Sequence, residues 1–138
     1  MKFIAVIPAH LASIRFPNKI LFDFFGLPMI EHVRRRALLS EYLSEVYVAT
    51  CDKVIAETVS SYGGKVIMTS NKHQNGTSRV AEAVLPYECS HVLLLQGDEP
   101  LLLPRHIDTM IKKIKENQNK DAWNATGEIK TEEELNSH

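Results

Sequence analysis

Short apolar runs alternate with amphipathic segments along most of the chain. Residues 3–7, 45–51, 65–69 and 91–96 are rich in Val, Ile and Leu, and they predict four β-strands. The run at 91–96 is almost wholly apolar, which predicts a strand buried on both faces near the centre of a sheet.

The segments between these runs carry apolar residues at helical spacing, with start and stop signals around them. Proline favours the first turn of a helix, and side-chain oxygens favour the position just before it. The predicted helices therefore begin after Pro28, after an N-cap at Asp52, after an N-cap at Thr77 and at Pro104.

Repeated strand–helix alternation predicts an α/β fold with a mostly parallel sheet. Right-handed crossovers place the loops after the strands at one edge of such a sheet, where ligands bind. Loops 8–19, 70–76 and 96–100 are therefore expected to converge. The pattern fades after Asn117, so residues 1–117 are predicted to form the α/β domain and 118–138 an irregular extension.

Composition and charge exclude several classes of protein. The 138 residues carry a net charge of −1, so no global field attracts nucleic acid or an anionic membrane. No apolar run approaches the roughly 20 residues of a membrane span. The apolar stretch at the N-terminus is shorter than the ~7–15 residues of a signal-peptide core. We expect a cytoplasmic protein without nucleic-acid or membrane partners.

Polar groups in the three loops suit a phosphate ligand with a metal ion. Arg15 and Lys19 are cations that neutralise phosphate oxygens, and Asp98 directly follows a buried strand. Mg²⁺ prefers one or two carboxylates together with substrate phosphates. Taken singly, a loop cation is more often a solvated surface charge, and Asp98 is equally suited to cap a turn.

The sequence lacks the common glycine-rich nucleotide motifs, zinc-ligand spacings and activated-cysteine patterns. Neither G-x-G-x-x-G nor G-x-x-x-x-G-K-[ST] occurs. Cys51 and Cys89 are not spaced as metal ligands, and no histidines stand at i, i+4 on a helix, so the sequence predicts no zinc site. Nothing in the sequence supplies a base to activate Cys51 as a nucleophile.

Four motifs together resemble a known family. "IPAHLASIRFPNK" resembles P-A-R-x-x-S-x-R-x-P-x-K, and "HQNGTSRVAEAV" resembles H-x-S-G-T-[DE]-R-x-A-E. "LLLQGDEPLL" contains Q-G-D-E-P, and residues 26–33 match G-x-P-M-I-x-H-V. From Met1 to about Leu135 the chain thus resembles the sugar-acid cytidylyltransferases, in particular the 3-deoxy-manno-octulosonate (Kdo) cytidylyltransferase, or CMP-Kdo synthetase, family.

The resemblance implies a nucleotide-diphospho-sugar transferase fold, a Rossmann-like three-layer α/β/α sandwich. It implies the reaction of CTP with Kdo to give CMP-Kdo and pyrophosphate, with Mg²⁺, in lipopolysaccharide biosynthesis, by a homodimer. Residues 1–117 would then bind the nucleotide, and 118–138 would begin a sugar-binding and dimerisation part. Two alternatives stay open: transfer to another sugar acid, such as an acylneuraminate or an amino-Kdo analogue, and a truncated, catalytically inactive nucleotide-binding domain.

The resemblance also implies roles for individual residues. Arg15, Lys19 and Asp98 would be catalytic, with Asp98 also the metal ligand. The implied nucleotide-binding residues are Pro8, Ala9, His10, Ser13, Arg15, Lys19, Asn75, Gly76, Thr77, Arg79 and Gln96.

The chain departs from the family pattern at three positions. His10 stands where the pattern has Arg, and a neutral imidazole does not replace a permanently charged fork. Asn75 stands in place of Ser and keeps a hydrogen-bonding side chain. Ser78 stands in place of an acidic residue and loses a charge.

Overall fold

The predicted alternation of strands and helices holds through the part of the chain that the structure, a computed structural model, describes, namely residues 1–11 and 19–122. The strands are β1 (Phe3–Ala9), β2 (Asp23–Phe24), β3 (Leu27–Pro28), β4 (Leu43–Thr50), β5 (Lys65–Met68) and β6 (His91–Leu94). The helices are α1 (Met29–Leu38), α2 (Lys53–Ser61), α3 (Gly76–Val84) and α4 (Pro104–Glu116), with a 3-10 turn at Lys19–Leu21.

Four of the strands form a parallel sheet in the order β5-β4-β1-β6. Strand β1 pairs with β4 from Phe3 to Ala9 and with β6 from Phe3 to Val6. Its residues Phe3–Ile7 are almost completely buried, as a continuous apolar run predicts for a two-sided strand. The predicted α/β class with a mostly parallel sheet is confirmed.

The predicted central position of the fourth apolar run is wrong for the described sheet. Strand β6 lies at its edge, and β1 and β4 occupy the middle. The run is apolar because both of its faces are covered: Leu93 packs into one core cluster, while Val92 and Leu94 pack against the other. Burial of both faces and a central position are separate properties, and the sequence pattern reports only the first.

Two apolar clusters, one on each face of the sheet, define three layers. Alternate residues of β1 pack with α1, α2 and α4 on one face, where Ile30, Ile55 and Ile111 are fully buried. The intervening residues Ile4 and Val6 pack with α3 on the other face. Within the described residues, every helix is too short or too polar to cross a lipid bilayer.

The N-terminus of α3 differs from the sequence prediction. The helix begins at Gly76, and the Oδ1 atom of Asn75 accepts a hydrogen bond from the Ser78 N–H at 2.8 Å. The predicted N-cap at Thr77 is therefore wrong, because Thr77 lies already within the first turn. A short hairpin, β2–β3, was also not predicted; it turns through Phe25 and Gly26, both at positive φ.

A buried ion pair lies within α1, and its arginine also contacts the end of α2. Glu31 is fully buried and accepts hydrogen bonds from Arg34 Nε at 2.5 Å and Nη2 at 3.0 Å. Arg34 also donates to the Tyr62 carbonyl at 3.2 Å, just beyond α2. Arg35 contacts the same carboxylate from a half-exposed position. A Cβ at Gly64 would lie 2.5 Å from Val59 Cγ1 and 2.9 Å from Arg34 Nε, so there is no room for a side chain beside this pair.

Removing Arg34 should destabilise the fold far more than removing Arg35. Arg34→Met leaves a buried carboxylate with one partner, and we expect unfolding to become easier by about 3 kcal/mol. Arg35→Met removes a partly solvated contact and should cost no more than about 1 kcal/mol. Urea unfolding of the two variants measures the difference. Equal losses would show that the buried fork does not stabilise the fold.

Asn75→Ala should lower stability by about 1 kcal/mol because it removes the side-chain cap of α3. The matched control is Thr77→Ala, two positions on, which should change stability by less than about 0.5 kcal/mol. Thermal unfolding followed by circular dichroism compares the two variants. A larger loss in Thr77→Ala would restore the sequence-based assignment of the cap.

Candidate functional site

A cavity of about 160 Å³ opens at the carboxyl edge of the parallel sheet. Three segments form its wall: the end of β1, the 3-10 turn and the loop after β6. We call it the carboxyl-edge cavity, and its lining residues are Pro8, His10, Lys19, Ile20, Gln96, Gly97 and Asp98.

Two glycines allow the backbone segments around this cavity to approach closely. A Cβ on Gly97 would lie 2.8 Å from Ile20 Cδ1 and 3.3 Å from Ile7 Cγ2. A Cβ on Gly76 would lie 2.9 Å from Pro8 Cγ, so the N-terminus of α3 packs directly on the end of β1. The described residues of loops 8–19 and 96–100 therefore meet at this edge, and loop 70–76 reaches it through Gly76.

The charged groups of the cavity form one weak pair. Lys19 Nζ lies 3.3 Å from Asp98 Oδ2, and the two side chains are 42% and 44% exposed. An ion pair of this exposure contributes about 0–1 kcal/mol, so a ligand of higher charge can exchange with either partner. The cavity thus presents an exchangeable cation and an exchangeable carboxylate side by side.

The oxygen donors at this edge fit a hard divalent cation. Asp98 offers a partly solvated carboxylate on the cavity wall, and Gln96 offers an exposed amide oxygen two residues before it. Mg²⁺ needs only one or two carboxylates when substrate phosphates and water complete its octahedral shell. The residues present therefore fit Mg²⁺ with Asp98 as the ligand.

Arg79 is buried behind the loop and is absent from the lining of the carboxyl-edge cavity. Its side chain donates to Thr69 Oγ1 at 2.6 Å and to the Ser70 carbonyl at 3.1 Å. On the other side, the Glu82 carboxylate accepts a hydrogen bond from the Ser70 N–H. Arg79 and Glu82 of the second motif thus clamp the start of the loop that leads to α3.

His73 and Ser78 form a further contact within this loop. His73 Nδ1 lies 3.0 Å from Ser78 Oγ, and Ser78 Oγ donates to the Asn75 carbonyl at 3.1 Å. His73 Nε2 is buried 3.4 Å from Glu82 Oε1, a distance that gives an ion pair only when the ring is protonated. Ser78, which departs from the family pattern, is therefore part of the local scaffold of the loop.

The structure gives His10 a partner that the sequence did not suggest. His10 Nδ1 lies 3.1 Å from Asp52 Oδ2, and the same oxygen accepts the Leu11 N–H at 2.9 Å. Asp52 occupies the predicted N-cap position of α2, but its side chain makes no capping bond to that helix. Cys51 lies beside both, with its sulfur within 4.8 Å of the histidine and aspartate donor atoms.

The remaining predicted site residues fall into two groups. Ser13 and Arg15 lie outside the described residues, so their predicted roles stay predictions. Ala9 is buried at the end of β1, and Asn75 and Thr77 are exposed at the start of α3.

A larger cavity, of about 230 Å³, lies at the opposite, amino edge of the strands. We call it the amino-edge cavity; Leu43–Val46, Gly63 and Lys65 form part of its wall. Lys65 Nζ lies 2.5 Å from Glu45 Oε2, and this hydrogen bond raises the pKa of Lys65. The Lys19–Asp98 distance in the smaller cavity is longer, at 3.3 Å, so that pair is the easier one for a charged ligand to separate.

Comparison with known proteins assigns the family. A model of the cytidylyltransferase family matches residues 4–138, so the chain belongs to the cytidylyltransferases. The predicted family resemblance is thereby confirmed.

Curated relatives of this chain include 3-deoxy-manno-octulosonate cytidylyltransferases. The 3-deoxy-manno-octulosonate cytidylyltransferase of Escherichia coli is 43% identical over 115 residues, which are 83% of this chain and 47% of the relative. That of Thermodesulfovibrio yellowstonii is 44% identical over 143 residues, 98% of this chain and 56% of the relative. The chain thus spans about half the length of the curated relatives it matches.

A solved structure shows the same relationship in three dimensions. The structure of a CMP:2-keto-3-deoxy-manno-octonic acid synthetase complexed with CTP is 42% identical and superposes with a TM-score of 0.83. The match covers 86% of this chain and 49% of that one. The Rossmann-like nucleotidyltransferase fold predicted from the motifs is confirmed.

Proposed function

We propose that this chain supplies the CTP-binding part of an enzyme that transfers CMP from CTP to the anomeric hydroxyl of Kdo and releases pyrophosphate. The observation that carries the proposal is the meeting of Lys19, Gln96 and Asp98 around one cavity at the carboxyl edge. These residues occupy the motif positions of the family, and a related synthetase was solved with CTP.

The chemistry needs no covalent enzyme intermediate. The sugar hydroxyl attacks the α-phosphorus, a new P–O bond forms, and the bond to the bridging oxygen of pyrophosphate breaks. The protein contributes by holding both reactants in line and by offsetting the charge that builds on the leaving group. This requirement fits a site that offers charges and backbone donors but no activated nucleophile.

Two features of the site would hold the triphosphate. The Lys19 ammonium would move from Asp98 to the phosphates, which costs little because the present pair is weak. The first turn of α3 leaves N–H groups at Gly76 and Thr77 without intrahelical acceptors, and such groups favour anions. Both features lie at the same edge of the sheet.

Mg²⁺ is part of the proposal, with Asp98 as its protein ligand. When bound, the ion would polarise the α-phosphate and neutralise phosphate charge. Asp98 would thus exchange Lys19 for the cation, and Lys19 would become available to the nucleotide.

Kdo is the acceptor that we propose because relatives at 43% and 46% identity carry its name. The acceptor can be tested by measuring pyrophosphate release with Kdo, an amino-Kdo analogue and an acylneuraminate in parallel. Turnover with Kdo supports the proposal, whereas turnover with another acid and none with Kdo would contradict it.

Mg²⁺ and CTP together should raise the melting temperature of the chain, because a ligand that binds only the folded state stabilises it. Asp98→Asn removes the carboxylate charge and should abolish most of this shift. Differential scanning fluorimetry over a range of CTP concentrations measures both.

Glu99→Gln is the matched control for Asp98→Asn, since Glu99 is an exposed acid one position along that does not line the cavity. It should keep the full shift. The proposal fails if CTP produces no shift in the unaltered chain, or if Glu99→Gln and Asp98→Asn lose it equally.

Lys19→Gln should weaken CTP binding by roughly tenfold or more, because a hydrogen bond to a charged group contributes ~1.5–3 kcal/mol. Binding of CMP should change much less, since CMP lacks the outer phosphates. Isothermal titration with both nucleotides separates these cases. An equal loss for CTP and CMP would show that Lys19 does not act on the leaving group.

A further inference from the structure

Three side chains with different metal-binding atoms meet at the ends of β1 and β4. The donor atoms of His10, Cys51 and Asp52 all lie within 4.8 Å of one another. His10 directly follows β1, and Cys51 directly follows β4. Cys51 and Asp52 have no role in the proposed transfer chemistry, and His10 only forms part of the wall of the carboxyl-edge cavity.

The backbone around this cluster is firmly held. The Asp52 N–H donates to Oγ1 of the fully buried Thr50 at 3.0 Å. The Asp52 carbonyl accepts the Ala56 N–H at 3.0 Å in the first turn of α2. The Leu11 N–H in turn binds the Asp52 side chain, which ties the end of β1 to the end of β4. The donors are therefore presented by strand ends and not by a mobile segment.

The donor set and its spacing match a zinc-class ion. Zn²⁺ takes thiolate at about 2.3 Å and imidazole or carboxylate at about 2.0–2.2 Å, which places tetrahedral ligands roughly 3.3–3.6 Å apart. His10 Nδ1 and Asp52 Oδ2 are already 3.1 Å apart. Cys51 has a single side-chain torsion, and its rotation can close the remaining gap. A soft thiolate favours Zn²⁺ over Mg²⁺.

Charge and access also suit such an ion. A thiolate and a carboxylate together offset the two positive charges of the cation. The His10 side chain is 42% exposed and that of Asp52 22% exposed, so the ion can enter without unfolding. Three protein ligands leave a fourth position open, which is the arrangement of zinc sites that accept a further ligand.

We propose that His10, Cys51 and Asp52 form a binding site for a zinc-class divalent cation, distinct from the Asp98 magnesium site. On binding, the Cys51 thiol releases its proton to solvent, and the metal replaces the hydrogen bond between His10 and Asp52. Since His10 also lines the carboxyl-edge cavity, the cation would lie next to that cavity. The site does not depend on the proposed cytidylyl transfer.

Cobalt(II) is the probe, because thiolate ligation gives it an intense near-ultraviolet charge-transfer band. Titrating the reduced, untagged chain with Co²⁺ should give this band at one ion per chain, and Zn²⁺ should remove it by displacement. Cys51→Ser should abolish the band, and the matched control Cys89→Ser should retain it. His10→Ala and Asp52→Asn should weaken Co²⁺ binding by about tenfold or more.

A second measurement needs no variant. Zn²⁺ should slow alkylation of Cys51 and leave that of Cys89 unchanged, as read by peptide mass spectrometry. The proposal is overturned if the unaltered chain shows no charge-transfer band, if the band survives in Cys51→Ser, or if Zn²⁺ protects both cysteines alike.

Discussion

Strand β1 is hydrogen-bonded in parallel on both sides, to β4 along its whole length and to β6 along its first four residues. This double pairing requires an apolar strand, since both faces and both edges are covered. It also forces the carboxyl ends of three strands to one edge of the sheet. The carboxyl-edge cavity, the weak Lys19–Asp98 pair and the cluster around His10 all lie where those ends meet.

Around this edge, rigid scaffolding and exchangeable charges are kept apart. Arg79 is buried and makes two hydrogen bonds, to Thr69 and Ser70, that fix the loop before α3. Lys19 and Asp98, in contrast, are partly solvated and paired only weakly. The nucleotide site that we propose would benefit from this division, because its charged groups must change partners when the ligand binds and leaves. The scaffold need not move when the charged groups change partners.

The departures from the family pattern have different physical consequences. Asn75 replaces Ser and still caps α3, because both side chains accept a hydrogen bond from the helix N-terminus. Ser78 replaces an acid and bonds His73 within the loop. His10 replaces a permanent cation and instead contacts Asp52 at the end of the neighbouring strand. Of the three, His10 is the one that lines the carboxyl-edge cavity.

Local signals in the sequence predicted the features that depend on neighbouring residues. The apolar run of β1, the start of α1 after Pro28 and that of α4 at Pro104 were all found in this way. The edge position of β6 was not, because strand order depends on tertiary pairing.

For the site, the topology of a parallel sheet predicted that the loops holding Lys19 and Asp98 converge, and the two side chains do lie together. The contact of His10 with Asp52 was missed because topology brings the strand ends to one edge but does not report which side chains pair there. The buried role of Arg79 was missed for a related reason: the motif that marks the residue does not report which way its side chain points.

The central claim, that the carboxyl edge is the nucleotide site, is tested most directly by mapping Mg²⁺-CTP onto the ¹⁵N-labelled chain by NMR. The account predicts that amide shifts concentrate at 10–11, 19–20, 75–77 and 96–98, where the three segments and the start of α3 converge. Shifts confined to 43–46, Gly63 and Lys65 would place the ligand in the amino-edge cavity and contradict the account.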